Sequence, residues 1–477
     1  MSIRISTGMI QSAGVGTINQ QTASLLHLQQ QVASNKRILT PADDPVGAAR
    51  ALVVENSKNV VTQYGTNQDN AKSALGIQEA QLSSTNDLIA RIRELAVQGG
   101  NAALSASDRK SLAFELRARY DELLGIANSD DGSGQYLFSG YQGATRPFSG
   151  SADAMIQNPA LDVTYLGDDG QRRLQVSASR FMEVSDSGND VFRRIRNGNG
   201  TFTTDYGRNG AGAATNTGTG VIDGGSVIDP AKWNASLTDP SWGAATPNQV
   251  SIKFWVDVPD PTTGTTFYGT PNAVYYDVTD SNGNSLFTDQ PSTTPDVGGT
   301  VSFLPANRYQ SGQTISLSGF NSRPDMGAAV TITGDPEGGS SAGVPVQQDS
   351  FTIAPSSTQS IFRTLTNLIG SLENTQTGTT AGRVALANEI GFALTNLDQA
   401  NNNILQVRAG IGSRMNEIES LSSVNEDLKL QYQQTLSNIL DLDYAKTISD
   451  LSRKQIDLEA AQKSYTMVAR LSLFNYL

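Results

Sequence analysis

The sequence has no cysteine and a single histidine, His27, among its 477 residues. The first absence removes disulfide frameworks, thiolate metal sites, cysteine nucleophiles and thiol redox switches. The second removes the histidine clusters on which most zinc hydrolases and Ser-His-Asp enzymes depend. Charge is also sparse: Asp, Glu, Lys and Arg make up 17% of the chain, against about a quarter in ordinary globular domains. The 46 acids outnumber the 34 basic residues, for a formal net charge of -12. An acidic chain without a basic patch repels phosphate backbones, so nucleic acid is not an expected partner. No run of 18 apolar residues is present, and the opening segment MSIRISTGMIQSAGVG lacks the apolar core of a secretory signal. Neither membrane insertion nor export by a cleaved signal peptide is expected.

What is present falls into helical ends and a different middle. Residues 139 to 350 are rich in Gly, Thr, Asp and Pro, hold all three Trp, and carry 21 acids against 12 bases, net -9. Most of the acidity therefore lies there. Short alternating runs bounded by turn clusters predict antiparallel strands at 162–165, 173–176, 250–256, 273–278, 300–304, 314–317, 330–332 and 350–353. The Gly- and Asn-rich stretch near 197–225 shows no periodicity and reads as a linker between two lobes.

The C-terminal third carries a heptad seam. Ile390, Leu397, Ile404, Ile411 and Ile418 recur every seven residues, with Leu421 and Leu428 in the companion positions. A second phase through Leu451, Leu458 and Tyr465 begins after Asp441-Leu442-Asp443, so a break is expected there. The N-terminal end mirrors this pattern. Ile18, Leu25 and Val32 share one helix face, and Asp43-Asp44-Pro45 supplies a capping carboxylate and a first-turn proline for a helix reaching about Gln98. Leu75, Leu82 and Ile89 form that helix's stripe, and another helix is expected over 107–128, capped by Ser107. The reading is an α+β multidomain chain, with long terminal helices forming a coiled-coil-like rod around an inserted antiparallel β-rich middle. The expected segments are 1–42 (assembly), 43–138 (rod), 139–355 (β-rich outer region), 356–443 (rod) and 444–477 (assembly).

Left in water, such stripes forgo roughly 1.5 to 3 kcal/mol per large apolar side chain. The first 42 residues contain Arg4, Lys36 and Arg37 but no acid, and have little apolar mass for a core of their own. The two extreme ends are therefore expected to pack only among other subunits.

Several segments resemble the flagellin superfamily: Arg4-Ile5-Ser6-Thr7, the run from Leu28 to Ile38, Pro41-Ala42-Asp43-Asp44-Pro45-Val46-Gly47, Gly134-Gln135-Tyr136-Leu137-Phe138-Ser139-Gly140, and Leu471 to Leu477. They are more similar to its hook-associated members than to flagellin, which is the alternative. The resemblance covers about 1–140 and 355–477 and is looser in the middle. It implies an axial structural protein of the bacterial flagellum, exported unfolded through the flagellar type III channel. It further implies a ring of its own copies at the hook-filament junction, between the preceding hook-associated protein and flagellin, and an export chaperone at the C-terminal helix.

The chemical motifs are weak beside this. Gly339-Ser340-Ser341-Ala342-Gly343 satisfies G-x-S-x-G, but no histidine follows it. Asp280-Ser281-Asn282-Gly283-Asn284 has alternating oxygens yet lacks the flanking helices and distal glutamate of a calcium loop, so a hairpin turn is expected. Asp441 and Asp443, two apart on a helix, face different directions and do not make an acid-base pair. His27 reads as a helix-surface or interface side chain. Arg414 occupies a seam position and either meets an acid at a subunit contact or snorkels to solvent. Asn425, also in the seam, is expected to fix helix register. No catalytic residue, cofactor or metal is expected, and the chain reads as a non-enzymatic assembly protein. A ligand-binding module in the β-rich middle is the remaining alternative.

Overall fold

The computed structural model describes residues 7–208, 214–239, 249–257, 259, 264, 266, 270–289, 307–337, 339–341, 344–346 and 349–474. The expected strand at 300–304, Trp242, Arg4 to Ser6, Ala342-Gly343 and the last three residues lie outside this set. The helices are α1 (Thr7–Ser34), α2 (Pro45–Gly99), α3 (Ala106–Ala127), α4 (Ala152–Gln157), α5 (Pro230–Thr238), α6 (Ile361–Asn374), α7 (Thr380–Leu440) and α8 (Tyr444–Phe474). The chain divides into two compact units. One comprises Met1–Lys72, Leu174–Met182 and Asn416–Leu477; the other comprises Ser73–Arg173 and Glu183–Met415.

Local chemistry sets the helix limits. α2 opens as expected, with Pro45 in its first turn and the Asp44 carboxylate accepting from the Gly47 amide at 2.8 Å. α3 is capped by Ser105 and not Ser107. The Ser105 side chain accepts from the Asp108 amide at 3.2 Å and the Asp108 carboxylate accepts from the Ser105 amide at 3.1 Å, a closed capping box two residues earlier than expected. At 61 residues, α7 extends about 90 Å, and it stops at the expected break.

In the second unit, α6 packs on α3 and α4 through a face that includes Phe362, Leu365 and Leu368. The rings of Tyr120, Phe138, Phe148 and Phe192 join Phe362 in edge-on and tilted contacts. Edge-on packing sets the positive ring rim against a negative face, and all five rings are fully buried. Half-buried ion pairs add to the packing: Arg117 of α3 pairs with Glu373 of α6, and Arg408 of α7 pairs with Glu79 of α2 at 2.7 Å.

The middle is antiparallel, as expected. A five-stranded sheet runs in the spatial order Asn307–Arg308, Val274–Thr279, Val250–Val256, Ser350–Pro355, Phe202–Tyr206. A second sheet centres on Ala328–Thr333, flanked by Thr314–Ser316 on one side and by Val221–Ile222 and Ser226–Val227 on the other. Phe202, Trp233, Ile252, Phe254, Val330 and Phe351 belong to one apolar core shared by the two sheets. The linker expected near 197–225 is therefore corrected, because it supplies the edge strand Phe202–Tyr206 and the pair partner Val221–Ile222. In Phe-Thr-Thr-Asp-Tyr the ends and centre of the strand are buried, but its inward centre is Thr204, so hydropathy conceals the alternation. Thr204 is satisfied there by donating to the Asp223 carbonyl at 2.8 Å.

Candidate assembly surface

In the first unit α1 packs along α8. The two helices approach closely at Gly14, where an added Cβ would fall 2.8 Å from the Tyr465 ring. A short hairpin braces α2 in the same unit: Asn67 and Gln68 donate to the carbonyls of Gln175 and Val176 at 2.7 and 2.8 Å. From the same hairpin Arg180 forms a two-pronged ion pair with Glu417 of α7, at 2.6 and 2.9 Å. Asn425 donates to the Val61 carbonyl at 2.8 Å, a polar tie between α7 and α2 at the seam position expected to set register.

Burial of the seam residues differs sharply by position. In the second unit Leu75, Leu82, Ile89, Ile390, Leu397, Ile404 and Ile411 are buried. In the first unit Ile418 is buried, Leu421 is half-buried and Leu428 is exposed. Ile18, Leu25 and Val32 of α1, and Leu451, Leu458 and Tyr465 of α8, are only half-buried even though the two helices cover one another. Each helix gives the other one flank, and among the described residues neither makes extensive contact with a third helix. The ends thus find an intramolecular partner that the sequence reading did not give them, and that partner covers them in part.

The same unit carries a second apolar stripe that the sequence reading missed. Val46, Val53 and Val60 recur every seven residues on α2, and Val53 and its neighbour Leu52 are 67% and 72% exposed. The sevenfold spacing was the available signal. It was masked by Asn56 and Asn59, polar residues on the same exposed face. Ile448 and Ile456 on α8 and Val424 and Leu430 on α7 are exposed as well. Exposed apolar side chains concentrated on the helices of one unit are the mark of a protein-protein contact surface.

The remaining motifs resolve into structural roles. Arg414 meets an acid within its own chain: it donates to the Asp186 carboxylate at 2.7 Å and to the Glu183 carbonyl at 3.1 Å. Gln78 of α2 donates to the same Asp186 carboxylate at 3.1 Å. His27 Nε2 stands 3.4 Å from the Asp43 carboxylate. Asp43 accepts from the Thr40 and Leu39 amides at 2.8 and 2.9 Å. The Thr40 amide, with Leu39 and His27 in support, holds the Asp43 carboxyl below its ordinary value of 3.8. Asp441 accepts from the Ser437 hydroxyl, while Asp443 caps α8 by accepting from the Lys446 amide.

The loop after Val274–Thr279 is a turn. One Asp280 oxygen accepts from the amides of Asn282 and Asn284 at 2.9 and 2.8 Å, and the other accepts from Arg323 at 2.7 Å. Gly339–Ser341 is a strand paired antiparallel with Val344–Val346, which is not the strand-to-helix turn of a nucleophilic serine. Among the described residues no group of three or more His, Cys, Asp or Glu could hold a metal ion, and no helix is long and apolar enough to cross a membrane.

Comparison with known proteins bears on this surface. Residues 5–143 match the bacterial flagellin N-terminal helical region, and residues 394–477 match the bacterial flagellin C-terminal helical region. Flagellar hook-associated protein 3 of Escherichia coli (strain K12) is 22% identical over 472 residues, covering 99% of each chain. Its counterpart from Salmonella typhimurium is 31% identical over 40% of this chain and 58% of its own length. The crystal structure of hook associated protein-3 from Legionella pneumophila superposes with a TM-score of 0.63 at 28% identity, covering 81% of this chain and 98% of that one. Flagellins match shorter stretches; Phase 1 flagellin of Salmonella naestved, 28% identical, covers 28% of this chain and 27% of its own.

Proposed function

The chain belongs to the flagellin superfamily as a homologue of flagellar hook-associated protein 3, a structural protein of the bacterial flagellum, and from that premise we propose how it works as an adaptor at the hook-filament junction. Its mechanism is templated packing. The half-covered stripes of α1 and α8, and the open stripe of α2, complete their burial against the same kinds of helices on subunits already in place.

The observation that carries this reading is the contrast in burial between Leu397, Ile404 and Ile411, which one chain closes by itself, and Leu25, Leu451 and Leu458, which it does not. The partners on this reading are copies of the same chain in a ring, the preceding hook-associated protein on one side and flagellin on the other. An export chaperone covers the C-terminal helix before assembly, and export runs through the flagellar type III apparatus to the cell exterior. No step of this mechanism makes or breaks a covalent bond, so the chain acts without being an enzyme.

The test is electron microscopy of a strain lacking the protein. An adaptor predicts hooks that persist without filaments, whereas normal filaments on those hooks would refute it. A bulk filament subunit predicts instead that seeds of the purified protein grow into long polymers of itself.

A further inference from the structure

The two places where the long helices break lie side by side in the first unit. α1 ends at Ser34, and Asn35 takes a left-handed backbone with φ of 54°. α7 ends at Leu440, and after a three-residue link α8 begins at Tyr444. Lys36 and Asp441 form an antiparallel bridge between these two links.

Arg37 holds the bridge. Its amide donates to the Leu440 carbonyl at 2.7 Å, and its guanidinium donates to the Ile439 carbonyl, 402 residues away in sequence, at 2.8 Å. Those carbonyls belong to the last turn of α7, where no intrahelical donor is available and the helix dipole favours a cation. The same guanidinium lies 3.4 Å from Asp44, whose other carboxylate oxygen caps α2. Gln31 of α1 donates to the Arg37 carbonyl at 2.6 Å. One residue thus touches the end of α1, the start of α2 and the end of α7.

We propose that Arg37 is a positioning residue for assembly. It couples the two interhelical links into a single joint, so that α1 and α8 are presented to the growing structure as one pair and not as two separately hinged helices. The proposal rests on the junction reading for its purpose, but not for its structural content. The planar fork matters here, because the side chain serves a carbonyl and a carboxylate at once, which a lysine ammonium on a flexible stem does less well.

Hydrogen exchange on the purified full-length protein tests the joint, with Arg37→Ala and the milder Arg37→Lys as variants. Amides on both links, 35–44 and 440–446, should lose protection together by about tenfold in Arg37→Ala, as expected for a local cooperative opening. Arg37→Lys should fall between it and the parent. Exchange that rises on the N-terminal link alone, or on neither, overturns the coupling. In cells, Arg37→Ala should be exported at the parental level yet support fewer filaments. Normal filament number together with an opened joint overturns the positioning role. If the parent protein itself fails to support filaments in a strain lacking it, the junction reading fails, while the exchange result on the purified chain still decides the joint.

Discussion

Ile411→Ala and Leu458→Ala remove the same number of carbons from stripes of different burial, and the structure assigns them opposite consequences. Ile411 is fully enclosed. Its truncation loses the transfer energy of the removed carbons and leaves a hole that packed helices close only in part, a cost of about 2 to 5 kcal/mol. Leu458 is half-buried. About half of the roughly 1.5 to 3 kcal/mol available from complete burial is at stake in the isolated chain, near 1 kcal/mol, and no sealed cavity forms. Urea unfolding of the purified protein followed by far-ultraviolet circular dichroism measures both. With a slope near 2 kcal/mol per molar, Ile411→Ala should lower the midpoint by roughly 1 M or more, and Leu458→Ala by about half that or less. Filament formation in cells should rank the other way relative to stability: Leu458→Ala should impair assembly well beyond its effect on the isolated chain. Equal midpoint shifts, or a Leu458→Ala variant that assembles as well as the parent, would refute the reasoning.

Val53→Asp puts a charge on an exposed position and should change the stability of the isolated chain by no more than about 0.5 kcal/mol, while blocking assembly; filament counts on cells carrying the variant decide this. Ile411→Asp, by contrast, buries an unpaired charge and should disrupt the helical region outright, visible as lost helical signal. Arg414→Ala strips a mostly buried Asp186 of its charged donor and should cost about 1.5 to 3 kcal/mol, with a double-mutant cycle against Asp186→Asn recovering much of the loss as coupling. For Asp43 the sign follows from its lowered pKa. A carboxyl held below its unfolded value of 3.8 contributes stability above that pH and loses it as pH falls through the lower folded value. Exchange of the Leu39 and Thr40 amides should therefore accelerate in the acid range below about pH 4, and should not respond between pH 5 and 6 in an Asp43-dependent way.

The long helices were legible where local chemistry or a change of hydrophobic phase marked their ends, although α3 is capped by Ser105 and not by Ser107. The Asp44-Pro45 start of α2 is local chemistry, and the phase change at Asp441–Asp443 marks a real break between α7 and α8. The strands were legible where β-branched and aromatic residues alternate, as in Val250–Val256 and Val274–Thr279. They were lost where a polar residue fills an inward position, as Thr204 does. The seam was legible as a pattern, but the extent of its closure was not. Burial depends on which elements fold over a stripe, and spacing alone makes Ile411 and Leu458 look alike. Arg414 and Arg37 show the same limit from the polar side. Their partners, Asp186 and the carbonyls of Ile439 and Leu440, lie more than two hundred residues away, and no local rule brings them together.

The absence of cysteine makes the central claim directly measurable by thiol labelling of single introduced cysteines at Leu25 and Leu458, with Ile411→Cys as the enclosed control. In the isolated protein, Leu25→Cys and Leu458→Cys should react readily and Ile411→Cys slowly. In flagella that contain the protein, all three should be protected. Protection at Leu25 and Leu458 already complete in the isolated chain, or reactivity that persists at both positions in intact flagella, would contradict the claim that neighbouring subunits close these stripes.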